Sequence, residues 1–323
     1  MTRINYLGES MLLSADDRGF INFLNTPEEA AKLQTAADFR GELLERMFEQ
    51  PQIIGPAMRL AKLEDRLRFP GGQVTLWFGP NGHGKSLVTS QVALDMAFLE
   101  EPPLICSFEM APMATLHRMV KQSCGNPAPT RDWVEAFLTW AQGRVWVYNH
   151  RGQHAIDTLL KLCEYAAKTK GIKHVFIDSM MKVVKGEEDY DGQKAFIDGC
   201  CKLALAANIH VHVVHHVRKG ADEFTQPGKY DAKGTGAIAD QVDAMVSVWR
   251  NKRKEQKVRL GKATEEEMTE PDCILGIDKN RHIEFEGSVG IWYVPGAQSY
   301  TDVRGRPLVY PLHSFMPDRE VAL

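Results

Sequence analysis

The chain has no long apolar run, no excess of one charge and no paired cysteine motif. None of its stretches approaches 18 uncharged apolar residues, so none reads as a membrane span and no membrane partner is expected. Lys plus Arg number 39 against 42 Asp plus Glu, a net charge of −3. That balance gives no global basic field, so any nucleic-acid surface must be local. The six cysteines form no C-x-x-C pair, which removes zinc-ribbon spacing and any disulfide framework. They read as small buried apolar residues in a reducing cytosol, and a cytoplasmic location is the expectation. Met1 to Gly8 lacks the apolar core of a signal peptide. There is no internal repeat and no long low-complexity tract.

One motif stands out against this ordinary background. Gly79-Pro80-Asn81-Gly82-His83-Gly84-Lys85-Ser86 matches the phosphate-loop pattern G-x-x-x-x-G-K-[ST] at every specified position. Gln73 to Phe78 reads as a buried strand running into it, and Leu87 to Phe98 as the helix leaving it. In that context the glycines let backbone N–H groups curl around phosphate oxygens, and the helix N-terminus adds partial positive charge. Lys85 would reach the β- and γ-phosphates and the Ser86 hydroxyl would ligate Mg²⁺. A nucleoside triphosphate, ATP or another NTP, is therefore the expected ligand, held by residues 79 to 86 with Leu87 following.

From about Gln52 to Val294 strands and helices alternate, which predicts an α/β fold with a mostly parallel sheet. The expected strands are 74–78, 104–108, 144–149, 174–178, 210–215, 244–249 and 273–278, apolar runs of the kind buried on both faces. Between them Ile156, Leu159, Leu160, Cys163 and Ala167 share one helical face, as do Phe196, Cys200, Leu203 and Ala207. Residues 1–51 read as a polar helical arm, with Thr26-Pro27-Glu28-Glu29 as a helix start, serving as a linker or as a contact to a neighbouring subunit. The charge-dense stretch 251–270 is expected to be a solvated hairpin or loop, and residues 296–323 an irregular tail.

A triphosphatase also needs a metal-holding acid, a group that activates water, and charge on the transferring phosphoryl group. His174 to Ser179 is an apolar strand ending in Asp178, placed to bind Mg²⁺ beside the phosphate loop. Glu109 follows the strand 104–108 and is placed to orient and deprotonate water. His215 and His216 end a later strand. No third ligand stands at metal spacing, so a polar sensor of the γ-phosphate is the better reading.

The order and wording of these motifs resemble the RecA-like motor domain of ring-forming replicative helicases: the DnaB type, the bacteriophage primase–helicases and the Twinkle type. They are also similar to RepA-like hexameric helicases. The matching pieces are residues 79–86, Ser107-Phe108-Glu109-Met110, Val175 to Ser179, Val213 to Lys219, Asp231 to Ile238 leading to Asp243 to Val248, and Lys279-Asn280-Arg281. They cover about residues 52–295. The resemblance implies a RecA-like P-loop NTPase with a central sheet flanked by helices and a short helical N-terminal arm. It implies Glu109 as catalytic base, His216 as strand-end sensor, and Arg281 with Lys279 as cations acting in trans on the neighbouring subunit's nucleotide. A homo-oligomeric ring, a hexamer, would translocate on single-stranded DNA during replication and could meet a primase, polymerase or loader. The setting would be a phage- or plasmid-encoded protein in a bacterial host's cytoplasm.

DNA contact is expected from Arg218, Lys219, Lys229 and Lys233, with Phe224 and Tyr230 interleaved, just after His216. No primase metal motif, zinc module or strongly acidic tail is present. Two other classes share the same core chemistry. One is a RecA-type strand-binding recombination ATPase. The other is a regulatory ATPase whose partner is a protein.

Overall fold

The computed structural model describes residues 4–6, 9–11, 34–48, 55–186, 188–217, 224–228, 231 and 236–315. The chain divides into two compact units, Met1–Gln52 and Ile53–Leu323. In the first, β1 (Ile4–Tyr6) pairs antiparallel with β2 (Glu9–Met11), and α1 spans Arg40–Phe48. Thr35 and Asp38 form a capping box that starts the helical segment. The expected helix start at Thr26 lies outside the described residues.

The second unit is built on one nine-stranded sheet. Its strands are β3 (Val74–Phe78), β4 (Pro103–Ser107), β5 (Trp146–Val147), β6 (His174–Asp178), β7 (His210–Val214), β8 (Ala244–Arg250), β9 (Cys273–Asn280), β10 (Gly287–Val294) and β11 (Ser299–Thr301). The order across the sheet is β11-β10-β9-β8-β3-β7-β6-β4-β5. Strands β8 to β5 in that order run parallel, whereas β9, β10 and β11 each run antiparallel to the neighbour before them.

Side-chain alternation along the strands divides the core into two layers. Trp77, Ile105, Phe176, Val214 and Val246 face α2 (Lys85–Phe98), α3 (Pro112–Cys124) and α4 (Arg131–Ala141). Leu76, Phe78, Cys106, Ile177 and Val213 face α5 (Ile156–Lys170) and α6 (Tyr190–Ala207). The apolar stripes expected on these last two helices supply Leu159, Cys163, Phe196, Cys200 and Leu203 to that layer. α7 (Gly236–Gln241) adds Ile238.

Two sequence expectations need correction. The charge-dense segment is helical: α8 (Lys252–Arg259) is capped by Asn251, and α9 (Glu265–Thr269) by a Thr264/Glu267 box. Nor does the chain hang free after residue 295. Tyr300, Tyr310 and Leu312 are buried in the α2-side layer, and the Tyr310 hydroxyl donates to the buried Asp95 of α2. The residues that close this layer come from both ends of the unit. Arg59 N–H donates to the other oxygen of Asp95 at 2.9 Å, and its guanidinium lies 4.6 Å from the Tyr310 ring centroid.

Candidate active site

Parallel strands deliver their C-terminal ends to one edge of the sheet, and the loops there converge on a cleft. Residues 79–84 leave β3 and turn into α2. Gly82 and Gly84 have φ of +75° and +93°, a region that side chains rarely adopt. A Cβ on Gly84 would lie 2.6 Å from the Tyr300 hydroxyl, and one on Gly79 2.3 Å from the Val248 carbonyl oxygen. The loop is therefore wedged between β8 and β11 with no room for side chains at these two positions. Pro80, Asn81 and Leu87 complete it.

The cleft has a volume of about 500 Å³ and is lined by Asn81, Gly82, Gly84, Lys85, Ser86, Leu87, Glu109, Met110, Arg118, Asp178, His216, Arg250 and Tyr293. That size is typical of small-molecule sites. Lys85 is buried, and its ammonium donates to the carbonyl oxygens of Gly79 (2.8 Å) and Pro80 (2.9 Å). Burial pushes its pKa down to about 8, against the opposing pull of Asp178 and Glu109. Asp178 is buried at the end of β6 and hydrogen-bonded to the Ser86 side chain. Desolvation raises its pKa, with the nearby Glu109 charge adding to it, while the Ser86 bond, Lys85 and Arg118 pull it down. A buried carboxylate next to a hydroxyl at a helix start is a hard oxygen donor set, which suits Mg²⁺. Glu109 is exposed to the cleft, and its Oε1 accepts from the Ser179 hydroxyl at 3.0 Å. The peptide bond joining Asp178 to Ser179 is cis.

His83 points away from the cleft. It is fully buried, its Nδ1 accepts from Arg250 N–H at 3.1 Å, and burial followed by the charges of Lys252, Lys85 and Arg250 pushes its pKa down to about 4. His83 thus anchors the loop to the end of β8 through its side chain, while phosphate contact would fall to its backbone.

Three cleft residues were not legible from the sequence. Arg118, on α3, donates to the Ser86 carbonyl oxygen at 2.9 Å and contacts the Met110 sulfur at 3.1 Å. Arg250 ends β8 and lies 5.1 Å from the ring centroid of Tyr293 on β10, with its Nε 3.2 Å from Glu255. Nothing local marks them. Arg250 looks like the polar end of an apolar strand, and Tyr293 belongs to a strand that was not expected.

Arg281 and Lys279 are not in the cleft. Because β9 runs antiparallel to β8, its C-terminal end lies at the opposite edge of the sheet. Asn280 pairs with Ala244, and Arg250 pairs with Cys273 at the far end. A strand rise of about 3.3 Å per residue puts Arg281 roughly 20 Å from Arg250. There, Arg281 Nη1 lies 3.3 Å from Asp243 Oδ1, its backbone N–H donates to the Asp243 carbonyl oxygen at 3.0 Å, and Nη2 donates to the Asp240 carbonyl oxygen. Lys279 Nζ donates to the carbonyl oxygens of Ala239 (2.5 Å), Val242 (2.7 Å) and Asp240 (3.2 Å). The four cations expected to contact DNA, Arg218, Lys219, Lys229 and Lys233, lie outside the described residues.

A family model described as an AAA domain matches residues 59–222, half of the chain. The chain belongs to the AAA domain family. Among solved structures, this AAA domain is similar to one described as the ATPase domain of a larger protein, with 14% sequence identity and a TM-score of 0.70 over 84% of this chain and all of that one. It is also similar to a DnaB-like replicative helicase whose structure was described with its interactions with primase. There the identity is 14% and the TM-score 0.66, over 88% of this chain and 73% of that one. At such identity the likeness is one of fold. The fold is that of a DnaB-like, RecA-type motor domain, a P-loop NTPase core.

Proposed function

We propose that this AAA domain is the motor of a ring-forming DNA helicase, hydrolysing ATP or another NTP with Mg²⁺ and moving on single-stranded DNA. One observation carries the reading: Arg281 lies across the sheet from its own phosphate loop. If it acts on a nucleotide, that nucleotide belongs to another copy, and the site is incomplete in one chain. A surface that meets a different surface of the next copy closes into a ring or continues as a helix. A hexamer is the assembly the family resemblance supports.

In this reading backbone N–H groups of residues 82–86 hold the phosphates, and Lys85 exchanges its two loop carbonyls for β- and γ-phosphate oxygens. Ser86 and Asp178 hold Mg²⁺, which when bound neutralises charge on the phosphate oxygens. Glu109, open to the cleft and oriented by Ser179, takes the proton from the attacking water. His216 senses the γ-phosphate from the end of β7. Arg250 and Tyr293 form a flat cationic–aromatic shelf suited to stacking a nucleobase. Residues 1–51 would clasp a neighbour. Phe39, Leu43 and Met47 recur at helical spacing there and are exposed, as are Leu44 and Phe48. Single-stranded DNA would be gripped by the segment 218–233.

Two experiments test the reading. Arg281→Ala and Lys85→Ala should each abolish turnover alone, and mixing them should restore part of it at hybrid interfaces. No recovery at any ratio refutes a trans cation. Steady-state hydrolysis at low salt, with and without single-stranded DNA, tests the strand-coupled part. DNA-independent turnover would favour a regulatory ATPase, and DNA-stimulated turnover on an open helical filament without unwinding a strand-binding recombinase.

A further inference from the structure

Asp243 occupies an unusual junction. It precedes β8, and its two carboxylate oxygens serve different elements. Oδ2 accepts from the backbone N–H of Val74, the first residue of the strand that carries the phosphate loop, at 2.9 Å. Oδ1 faces the Arg281 guanidinium at 3.3 Å and His282 Nε2 at 3.8 Å. Its backbone is used as well: the N–H donates to the Val74 carbonyl oxygen at 3.0 Å, and the carbonyl oxygen accepts from Arg281 N–H at 3.0 Å. Beside it, the last carbonyls of α7 have no partners within a helix that ends there. Lys279 and Arg281 supply donors to them. Arg281 is thereby held at three points, and its side chain is still 45% exposed. A long side chain with no such frame would lose rotamer freedom on reaching a neighbour's phosphate. One already framed loses less, which is the advantage of a preorganised transition-state cation.

We propose that Asp243 is the positioning residue for Arg281, holding the guanidinium in the orientation from which it serves the neighbouring subunit's nucleotide. The inference rests on the trans reading of Arg281 given above. It assigns to Asp243 a role in a site that its own chain does not contain, in addition to its bond to the strand beneath its own phosphate loop.

These two roles separate in one experiment. In Asp243→Asn the amide oxygen can still accept from Val74 N–H. The amide NH₂ then faces the guanidinium, donor against donor. Turnover of the full chain should fall tenfold or more with little change in KM for ATP. Mixed with Lys85→Ala, the variant should recover turnover. The Asp243→Asn subunit supplies an intact phosphate site, and the Lys85→Ala subunit supplies a correctly held Arg281. A defect acting through Val74 would lie in the variant's own phosphate site and would not be rescued. Unchanged turnover, or a loss that mixing does not repair, overturns the proposal. The mixture of Arg281→Ala with Lys85→Ala is the reference. If that pair fails to recover, the trans reading itself falls; if it recovers and the Asp243→Asn pair does not, only the positioning role falls. Should Asp243→Asn not purify folded, Asp243→Ser serves the same test, since its hydroxyl can accept from Val74 N–H and carries no charge for Arg281.

Discussion

Acid should weaken this fold through three histidines that take no part in the cleft. His174, His210 and His212 are buried side by side on β6 and β7 under Phe69. Their hydrogen bonds require neutral rings. Trp77 Nε1 donates to His212 Nδ1 at 3.2 Å, which leaves the His212 proton on Nε2, facing His174 Nδ1 at 3.2 Å. His210 Nδ1 donates to the Pro70 carbonyl oxygen at 2.7 Å, so its Nε2 accepts from the Thr75 hydroxyl at 2.8 Å. A second proton on His210 or His212 would remove an acceptor and place a charge in the core. Burial accordingly pushes the pKa of His210 from 6.5 down to about 4, and drives His174 and His212 well below the usual value, with neighbouring imidazoles adding to the effect. A histidine whose folded pKa is depressed contributes stability that is fully present above the unfolded value. That stability is lost as pH falls toward the folded value. For His210 the window runs from 6.5 to about 4, and the loss across it is about 3 kcal/mol at about 1.4 kcal/mol per pH unit. Urea unfolding of the wild type and His210→Gln at intervals from pH 7.5 to pH 4 measures it. The glutamine can accept from Thr75 and donate to Pro70 but does not titrate. The stability difference between the two proteins should move by about 3 kcal/mol in favour of the variant as pH falls. Taking the difference cancels the carboxylates common to both. A difference constant to within about 0.5 kcal/mol would refute the argument.

Three further outcomes follow from the site and its supports. Glu109→Gln should bind nucleotide as the wild type does, since Glu109 makes no contact with the phosphate loop, yet lose turnover by about 10²-fold or more in a steady-state assay. Gly84→Ala should cost about 1–3 kcal/mol, because its φ of +93° disfavours a side chain and the Tyr300 hydroxyl occupies the Cβ position. Thermal melting would read that loss, and titration with a fluorescent nucleotide would show weakened binding. Tyr310→Phe should destabilise by about 1–3 kcal/mol, since Asp95 keeps a buried oxygen that nothing else satisfies. A neutral melting curve for that variant would mean that residues after 295 do not help to hold the core.

What could be read in advance was what is encoded locally. The phosphate loop, the acid at the end of β6 and the glutamate after β4 each follow an apolar strand, and that neighbourhood alone places them at one sheet edge. The two short helices after β8 were also encoded locally, in the Asn251 cap and the Thr264/Glu267 box, but dense charge drew the reading toward a loop. The rest was not local. Tyr310 reads as one aromatic in an irregular, proline-containing stretch until it meets Asp95, 215 residues earlier. Strand β10 alternates glycine, serine and bulky residues, so it carries little of the continuous apolar signal that marked the parallel strands. Arg118, Arg250 and Tyr293 become neighbours only because α3, β8 and β10 end around the same loop.

The direction of a single strand links the fold to the proposed assembly. Every parallel strand of this sheet brings its C-terminal end to the edge where the phosphate loop sits, so Glu109, Asp178 and His216 gather there without further device. Strand β9 is the first to reverse, and the cations at its end are carried to the other edge. A reversal of that kind cannot be undone by a side-chain rotation, because an arginine reaches about 7 Å while the strand spans roughly 20 Å. Either Arg281 has no part in phosphate chemistry, or the chemistry is shared between copies. The first alternative leaves its three-point frame on Asp243 and α7 as ordinary surface bonding, for which the 3.3 Å ion pair would contribute little in water. The second gives that frame a purpose that only the mixed-subunit assay can reveal, since neither edge of the sheet can complete the reaction alone.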